Sequence, residues 1–190
     1  MPCLAVRVTY VGELGWELYF PSEYGQALWD TLWAAGAEHG MRACGYRAID
    51  ALRIEKGYRV WGSDMTPEES PDESGLGFAV KPDKGDFKGR AALLARRERP
   101  AERRLCCLVL ADPRSICLGS EPVRVGDEVA GRVTTGAYGY AVERSIAYAL
   151  LPLAAAEAGT AVEVEVFGEW VAAEVAAEPL WDPTGERIRI

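Results

Sequence analysis

Apolar and polar positions alternate strictly at the start of the chain. Leu4, Val6, Val8 and Tyr10 are interleaved with Ala5, Arg7 and Thr9, and further on Trp16, Leu18 and Phe20 with Glu17 and Tyr19. A period of two places each set on its own face of an extended strand, so 6–20 reads as two half-buried strands joined by a reversal. Gly12 and Gly15 bracket Glu13-Leu14 and give that reversal its conformational freedom. Glu17 breaks the pattern. A carboxylate between Trp16 and Leu18 is costly unless its face is wet or it has partners. It therefore either faces solvent or receives hydrogen bonds from a ligand.

The period then lengthens. Tyr24, Ala27, Leu28, Thr31, Leu32 and Ala35 recur at spacings of three and four, the stripe of an amphipathic helix, with Ser22 as N-cap and Gly40 as C-cap. Trp29 and Trp33 flank that stripe and are expected to serve packing rather than a ligand stack. A second helix is predicted over 45–56, with Ala48, Ile49, Ala51 and Leu52 as its apolar side and Gly57 as its stop. Asp50 and Arg53 stand three apart on it, which predicts a surface ion pair.

Periodicity vanishes over 58–74, a stretch rich in turn formers and acids; ordered connections of that length are often functional. The run 75–80 is predicted as a short strand, 81–89 as a loop and 90–97 as a helix. The charged run 96–104, interrupted by Pro100, is the best domain boundary in the chain, and a solvated linker accounts for its charges. Beyond it the pattern is all-β, with strands at 104–110, 121–125, 128–135, 145–150, 161–166 and 169–176. Gly126-Asp127 and Gly168 mark hairpin turns. Six strands at near-regular spacing predict a small barrel or sandwich. Cys106 and Cys107, adjacent on one strand, should point to opposite faces.

Composition narrows the function classes. The chain has 190 residues and a formal net charge of −8, with no basic cluster to follow a phosphate backbone, which argues against nucleic acid. No apolar run approaches the roughly 20 residues of a membrane span. Five cysteines, with no CxxC among them, predict free thiols in a reducing cytosol. A single histidine, His39, leaves little for a histidine-based metal site or a Ser-His triad, and it is expected at the surface of a helix end. No metal site and no catalytic residue is assigned.

Several short motifs occur together, in order. Residues 10–17 (YVGELGWE) resemble the YTGExGxE signature of the glycine-cleavage T-protein (aminomethyltransferase) family, and 52–57 (LRIEKG) resemble its LRLExG helix. The same likeness runs through 71–76 (PDESGL), 84–90 (KGDFKGR), 131–136 (GRVTTG) and 145–148 (SIAY). The variants GYRAIDALRIEKGYRVWGSD and DPTGERIR are most similar to the folate domain of sarcosine and dimethylglycine dehydrogenases. The resemblance implies an α+β fold: partial aminomethyltransferase-type folate-binding lobes over 1–98, followed by a C-terminal Greek-key β-barrel over 99–190.

The resemblance also implies tetrahydrofolate as cofactor and transfer of a one-carbon unit to it from an amine derived from glycine, sarcosine or dimethylglycine. The motif glutamate falls on Glu17, as pterin anchor; Tyr10 matches a tyrosine lining the same pocket, and Arg53 a ligand-contacting arginine. Family members carry a long portion ahead of the YTGE motif, which supplies an aspartate near the reacting folate nitrogen. Residues 1–9 contain no acid. The isolated chain is therefore expected to be inactive in transfer, and to associate with itself or with a partner supplying the other half. Three readings stay open: the C-terminal part of a folate-dependent aminomethyltransferase-type enzyme, a non-catalytic folate-binding or interaction module, and a structural domain that has lost the ligand.

Overall fold

The computed structural model describes residues 2–99 and 101–189. Its organising element is a closed barrel of six antiparallel strands: β3 (Arg103–Leu110), β4 (Pro122–Val125), β5 (Glu128–Gly139), β6 (Arg144–Pro152), β7 (Ala161–Val166) and β8 (Glu169–Ala176), in the order β3-β6-β5-β4-β7-β8. Three hairpin-linked strands, β4 to β6, with β3 returned beside β6, make a Greek key. All six predicted strands are present; β5 runs four residues further than its pattern suggested.

Alternation along each strand sorts side chains between the barrel's inside and outside. Cys106, Leu108, Val133, Ala147, Ala149, Val164 and their neighbours fill the interior. Leu105, Cys107, Ile146, Tyr148 and Leu150 point outward and close over Ile54. Cys106 and Cys107 thus lie in two different cores, as the pleat requires. Register supports this, with Cys106 opposite Ala149 and Cys107 opposite Tyr148.

Outside the barrel lie α1 (Gly25–Gly36), α2 (Tyr46–Glu55) and α3 (Arg90–Arg97), and a short antiparallel pair, β1 (Leu4–Val6) with β2 (Glu17–Tyr19). The pair is shorter than the alternation predicts, and residues 7–16 form a wide loop instead of a tight reversal. The ladder stops because Val8 N–H turns back to the Val6 carbonyl and Leu14 N–H donates to Arg187 O (3.1 Å), not to a strand partner. The apolar face is unevenly covered: Val6 and Leu18 are partly buried, whereas Leu4 and Trp16 are about three-fifths exposed. On α1 only Leu28 is buried. Ser22 opens a 3-10 turn without capping it through its side chain, while Gly40 does end the segment in the left-handed region.

Two further expectations change. Residues 75–80 form no strand: Gly77–Ala79 is a 3-10 turn, in which Ala79 N–H donates to Leu76 O and Val80 N–H to Gly77 O in place of strand partners. The charged run is more than a solvated linker. Arg96 and Arg103 converge on the buried carboxylate of Glu73, Arg103 also reaches Glu69 (3.0 Å), and Arg97 forks onto Asp72. Burial tends to raise the Glu73 carboxyl, but the Ser70 N–H and hydroxyl and these two arginines hold it below its usual range. Pro100, the residue that marked the boundary, lies outside the described residues. Among the described residues, no helix is long and apolar enough to cross a membrane.

Candidate functional site

The second helix keeps only part of its predicted apolar side: Ala51 is buried and Ala48 half-buried. Ile49 and Leu52 are more than one-third exposed, whereas Arg53, Glu55 and Lys56 are buried beside Ile54. Each buried charge has a fixed partner contributed from far along the chain. Glu55 Oε1 accepts from the N–H of Ala141 (2.6 Å) and Val142 (3.2 Å) after β5. Lys56 Nζ donates to the Asp182 carbonyl (2.6 Å) and carboxylate (2.7 Å). Arg53 Nη1 donates to Asp64 Oδ2 (3.0 Å) and Tyr58 O (3.3 Å). Burying charges without such partners would cost several kcal/mol each, so the partners set the face.

The predicted ion pair with Asp50 is present, but Arg53 is not a surface residue. It is 2% exposed, and Asp50 stands 3.9 Å from its Nε, beyond hydrogen-bond reach. That Nε is buried and meets no acceptor. Asp64 holds the other side of the guanidinium and is itself saturated: Val60 N–H donates to Oδ2 (2.9 Å), and the hydroxyls of Thr134 (2.5 Å) and Thr135 (2.7 Å) donate to Oδ1. Adjacent residues of a regular strand point to opposite faces. Here β5 bulges between Val133 and Thr135 opposite Ala149 and Tyr148, which lets both hydroxyls reach one oxygen.

Tyr10 belongs to the same neighbourhood. Its ring stacks on Tyr58 (centroids 5.9 Å apart, 13° between planes) and its hydroxyl donates to Arg59 O at 2.7 Å. Burial raises the Tyr10 hydroxyl above its ordinary range; Arg53 opposes the rise, while Asp64 and Asp50 add to it. Glu17 is separate. It lies exposed on β2, its Oε2 accepts the Tyr19 hydroxyl, and it shares no hydrogen bond with Tyr10 or Arg53 among the described residues. The structure thus brings Tyr10 and Arg53 together and leaves Glu17 on a wet edge beside Trp16 and Tyr19.

The C-terminal segment ties this region to the barrel. Trp181 Nε1 donates to Glu13 Oε1 (3.1 Å), Arg187 reaches Glu13 Oε2 (3.4 Å), and Trp181 N–H donates to Glu55 O (3.0 Å). Gly12, at φ +75°, is a point of close approach: a Cβ there would stand 2.6 Å from Lys56 Cγ. Asp64, Tyr58 and the Thr134-Thr135 pair were missed in the sequence. All four lie within the family-like stretches at 45–64 and 131–136, but nothing in those motifs marked them as site residues rather than as an acid in an aperiodic stretch, an aromatic after Gly57 and two adjacent threonines in a strand.

A surface groove of about 790 Å3 lies elsewhere, over β3 and β8 near Val109, Pro113, Arg144 and Leu180. A smaller hollow of about 380 Å3 sits against α2, lined by Arg47, Ala48, Leu52, Glu55 and Tyr140. Among the described residues, no group of His, Cys, Asp or Glu is arranged to hold a metal ion.

Comparison with known proteins agrees with this architecture. Residues 1–84 match the model of the GCVT N-terminal domain, and 103–182 that of the glycine cleavage T-protein C-terminal barrel domain. Human mitochondrial dimethylglycine dehydrogenase is 40% identical over 192 residues, covering 100% of this chain and 22% of the relative. An aminomethyltransferase of Symbiobacterium thermophilum is 41% identical over 176 residues, covering 92% of this chain and 47% of the relative. The crystal structure of the glycine cleavage system aminomethyltransferase T from Bartonella henselae superposes with a TM-score of 0.86 at 27% identity, over 94% of this chain and 50% of that one. The chain spans about half the length of the aminomethyltransferases it matches, and about a fifth of the dehydrogenase.

Proposed function

Because the chain belongs to the glycine-cleavage T-protein family, we propose that it works as part of a tetrahydrofolate-dependent aminomethyltransferase-type protein, with Glu17, Tyr10 and Arg53 holding the folate. In this reading 1–98 is the ligand-bearing α+β region and 99–190 the barrel against which it is braced. The observation that carries the proposal is the state of Arg53: a buried guanidinium, fixed on one side by Asp64, whose Nε makes no hydrogen bond, the Asp50 carboxylate standing 3.9 Å away. A buried donor left unpaired costs about 1–3 kcal/mol, a cost that a ligand acceptor would relieve.

The remaining residues suit the same ligand. A pterin ring offers adjacent N–H and NH2 donors, and a carboxylate accepts such a pair as a fork. Glu17 is exposed, with only Oε2 engaged, by a neighbouring hydroxyl that can yield. Tyr10, braced flat against Tyr58, offers a fixed aromatic wall. Tetrahydrofolate, when bound, supplies the amine nitrogens that take up the one-carbon unit; this chain's part is to bind and orient the ring. The donor would be an amine derived from glycine, sarcosine or dimethylglycine, in keeping with the relatives' names. All five thiols are free, which suits a reducing, cytosolic setting.

The apolar side chains exposed on and beside β1, β2, α1 and α2, among them Trp16, Trp29, Trp33 and Tyr46, support a further part of the reading. They would be covered by polypeptide equivalent to the half of the aminomethyltransferases that this chain does not span, or by a second copy. Calorimetric titration of the chain with 5-formyltetrahydrofolate tests the folate reading. Saturable binding supports it, and no heat of binding at about 1 mM ligand, where the binding free energy would be weaker than about −4 kcal/mol, overturns it.

A further inference from the structure

We propose that Asp64 is the positioning residue for Arg53, and that the bulged Thr134-Thr135 pair makes this positioning a property of the barrel. The inference rests on the reading of Arg53 as a ligand contact. Asp64 lies in the aperiodic stretch, where no regular ladder would hold it, yet it is 1% exposed and receives four donors. Two act on each oxygen. Thr134 and Thr135 on Oδ1 fix the plane of the carboxylate, and Oδ2 is thereby aimed at Arg53 Nη1.

Neutralising a buried arginine would need one acid and nothing more. Here a ladder position of β5 is given up so that two consecutive hydroxyls can meet one carboxylate oxygen. The Thr134 hydroxyl also lies 3.2 Å from the Tyr148 carbonyl, which links it to β6. With Nη1 held by Asp64 and by Tyr58 O, the guanidinium is fixed, and Nε is presented in one direction, 3.9 Å from the Asp50 carboxylate and without a hydrogen-bond acceptor. An isolated salt bridge would leave that direction free; the four-donor carboxylate does not. Asp64 acts through Arg53 and need not touch the ligand.

Asp64→Asn is the informative change. Its amide N–H can face the two threonine hydroxyls, which rotate to accept, while its oxygen still accepts from Arg53 and Val60 N–H. Shape is kept and the charge that fixes the guanidinium is lost. The 15N-labelled full chain, with the Arg53 Nε–H signal assigned by its absence in Arg53→Gln, is examined by heteronuclear NOE, and each variant is titrated with 5-formyltetrahydrofolate. We expect Asp64→Asn to fold, to mobilise the Arg53 signal, and to weaken binding about tenfold. The double variant Asp64→Asn/Arg53→Gln should bind no more weakly than Arg53→Gln alone. Thr135→Val should act in the same direction, and Thr135→Ser should restore wild-type behaviour. Thr135→Val also keeps the test open should Asp64→Asn not fold. An Arg53 signal that stays rigid in Asp64→Asn, or wild-type affinity in that variant beside a weakened Arg53→Gln, overturns this assignment and leaves the folate reading intact. Wild-type affinity in Arg53→Gln overturns the role of Arg53 itself, and this inference with it.

Discussion

Lys56 and Asp182 lie 126 positions apart in the chain and meet at 2.7 Å, with the same ammonium also donating to the Asp182 backbone carbonyl. Both side chains are nearly buried. The pair closes the C-terminal segment over the end of α2, and Gly12 packs against the Lys56 stem from the other side. The loop that carries Tyr10 therefore packs on the same lysine that anchors the C-terminal segment.

Stability in acid should report on this contact. The hydrogen bond from Lys56, followed by the N–H groups of Glu186 and Arg187, holds the Asp182 carboxyl below its ordinary 3.8. A depressed carboxyl contributes stability that is fully present above its unfolded value and is lost as pH falls through its folded one. Thermal unfolding followed between neutral pH and about pH 3 should show Asp182→Asn less stable at neutral pH and less sensitive to acid than the wild type. Parallel pH profiles for the two proteins would show that the contact contributes nothing.

Thiol reactivity should divide the cysteines. Cys3 and Cys44 are exposed, while Cys106, Cys107 and Cys117 are buried. Burial, the largest influence on each, pushes the thiols of Cys107 and Cys117 up to about 12. Thiolate is the reactive form, so a disulfide reagent at pH 8 should titrate two thiols quickly and the other three only on unfolding. Five fast thiols in the native chain would contradict the barrel packing.

Much of the barrel was legible because a strand needs only its own alternation and a turn residue at each end. Its faces follow from period alone, as Cys106 and Cys107 show. The surroundings of α2 were not legible in that way. Ile49 and Leu52 are exposed and Arg53, Glu55 and Lys56 buried because Asp64, the Ala141 and Val142 N–H groups, and Asp182 wait at fixed places. Those partners come from the aperiodic stretch, a hairpin turn and the C-terminal segment, which no local window contains. The 96–104 run is similar: its arginines read as solvated because the acids that bind them, Glu69, Asp72 and Glu73, sit in the preceding irregular segment. The three proposed site residues all came from motif likeness, and the structure places only Tyr10 and Arg53 together.

Exposed aromatic surface should make the chain associate. Trp29 and Trp33 stack on one another (5.5 Å, 12° between planes) on a helix whose only buried residue is Leu28. Tyr46 and Trp16 extend the apolar surface. Covering even about 800 Å2 of it is worth roughly 20 kcal/mol before the entropy of association is subtracted. Light scattering at tens of micromolar should find dimers or larger species, together with binding of a hydrophobic dye. A clean monomer that binds no dye would contradict the expectation that these faces are covered in use.

The folate reading stands or falls most directly on Glu17, the one site residue with no structural duty beyond a hydrogen bond from Tyr19. Because it is exposed, Glu17→Gln should leave the fold unchanged, so any difference reports on the ligand. Titration calorimetry with 5-formyltetrahydrofolate is expected to give the wild-type chain a Kd between about 10 μM and 1 mM. Loss of the charged acceptor should weaken that binding by about 1–3 kcal/mol. Equal affinity in the wild type and in Glu17→Gln would contradict the assignment of Glu17 as the anchor of the pterin.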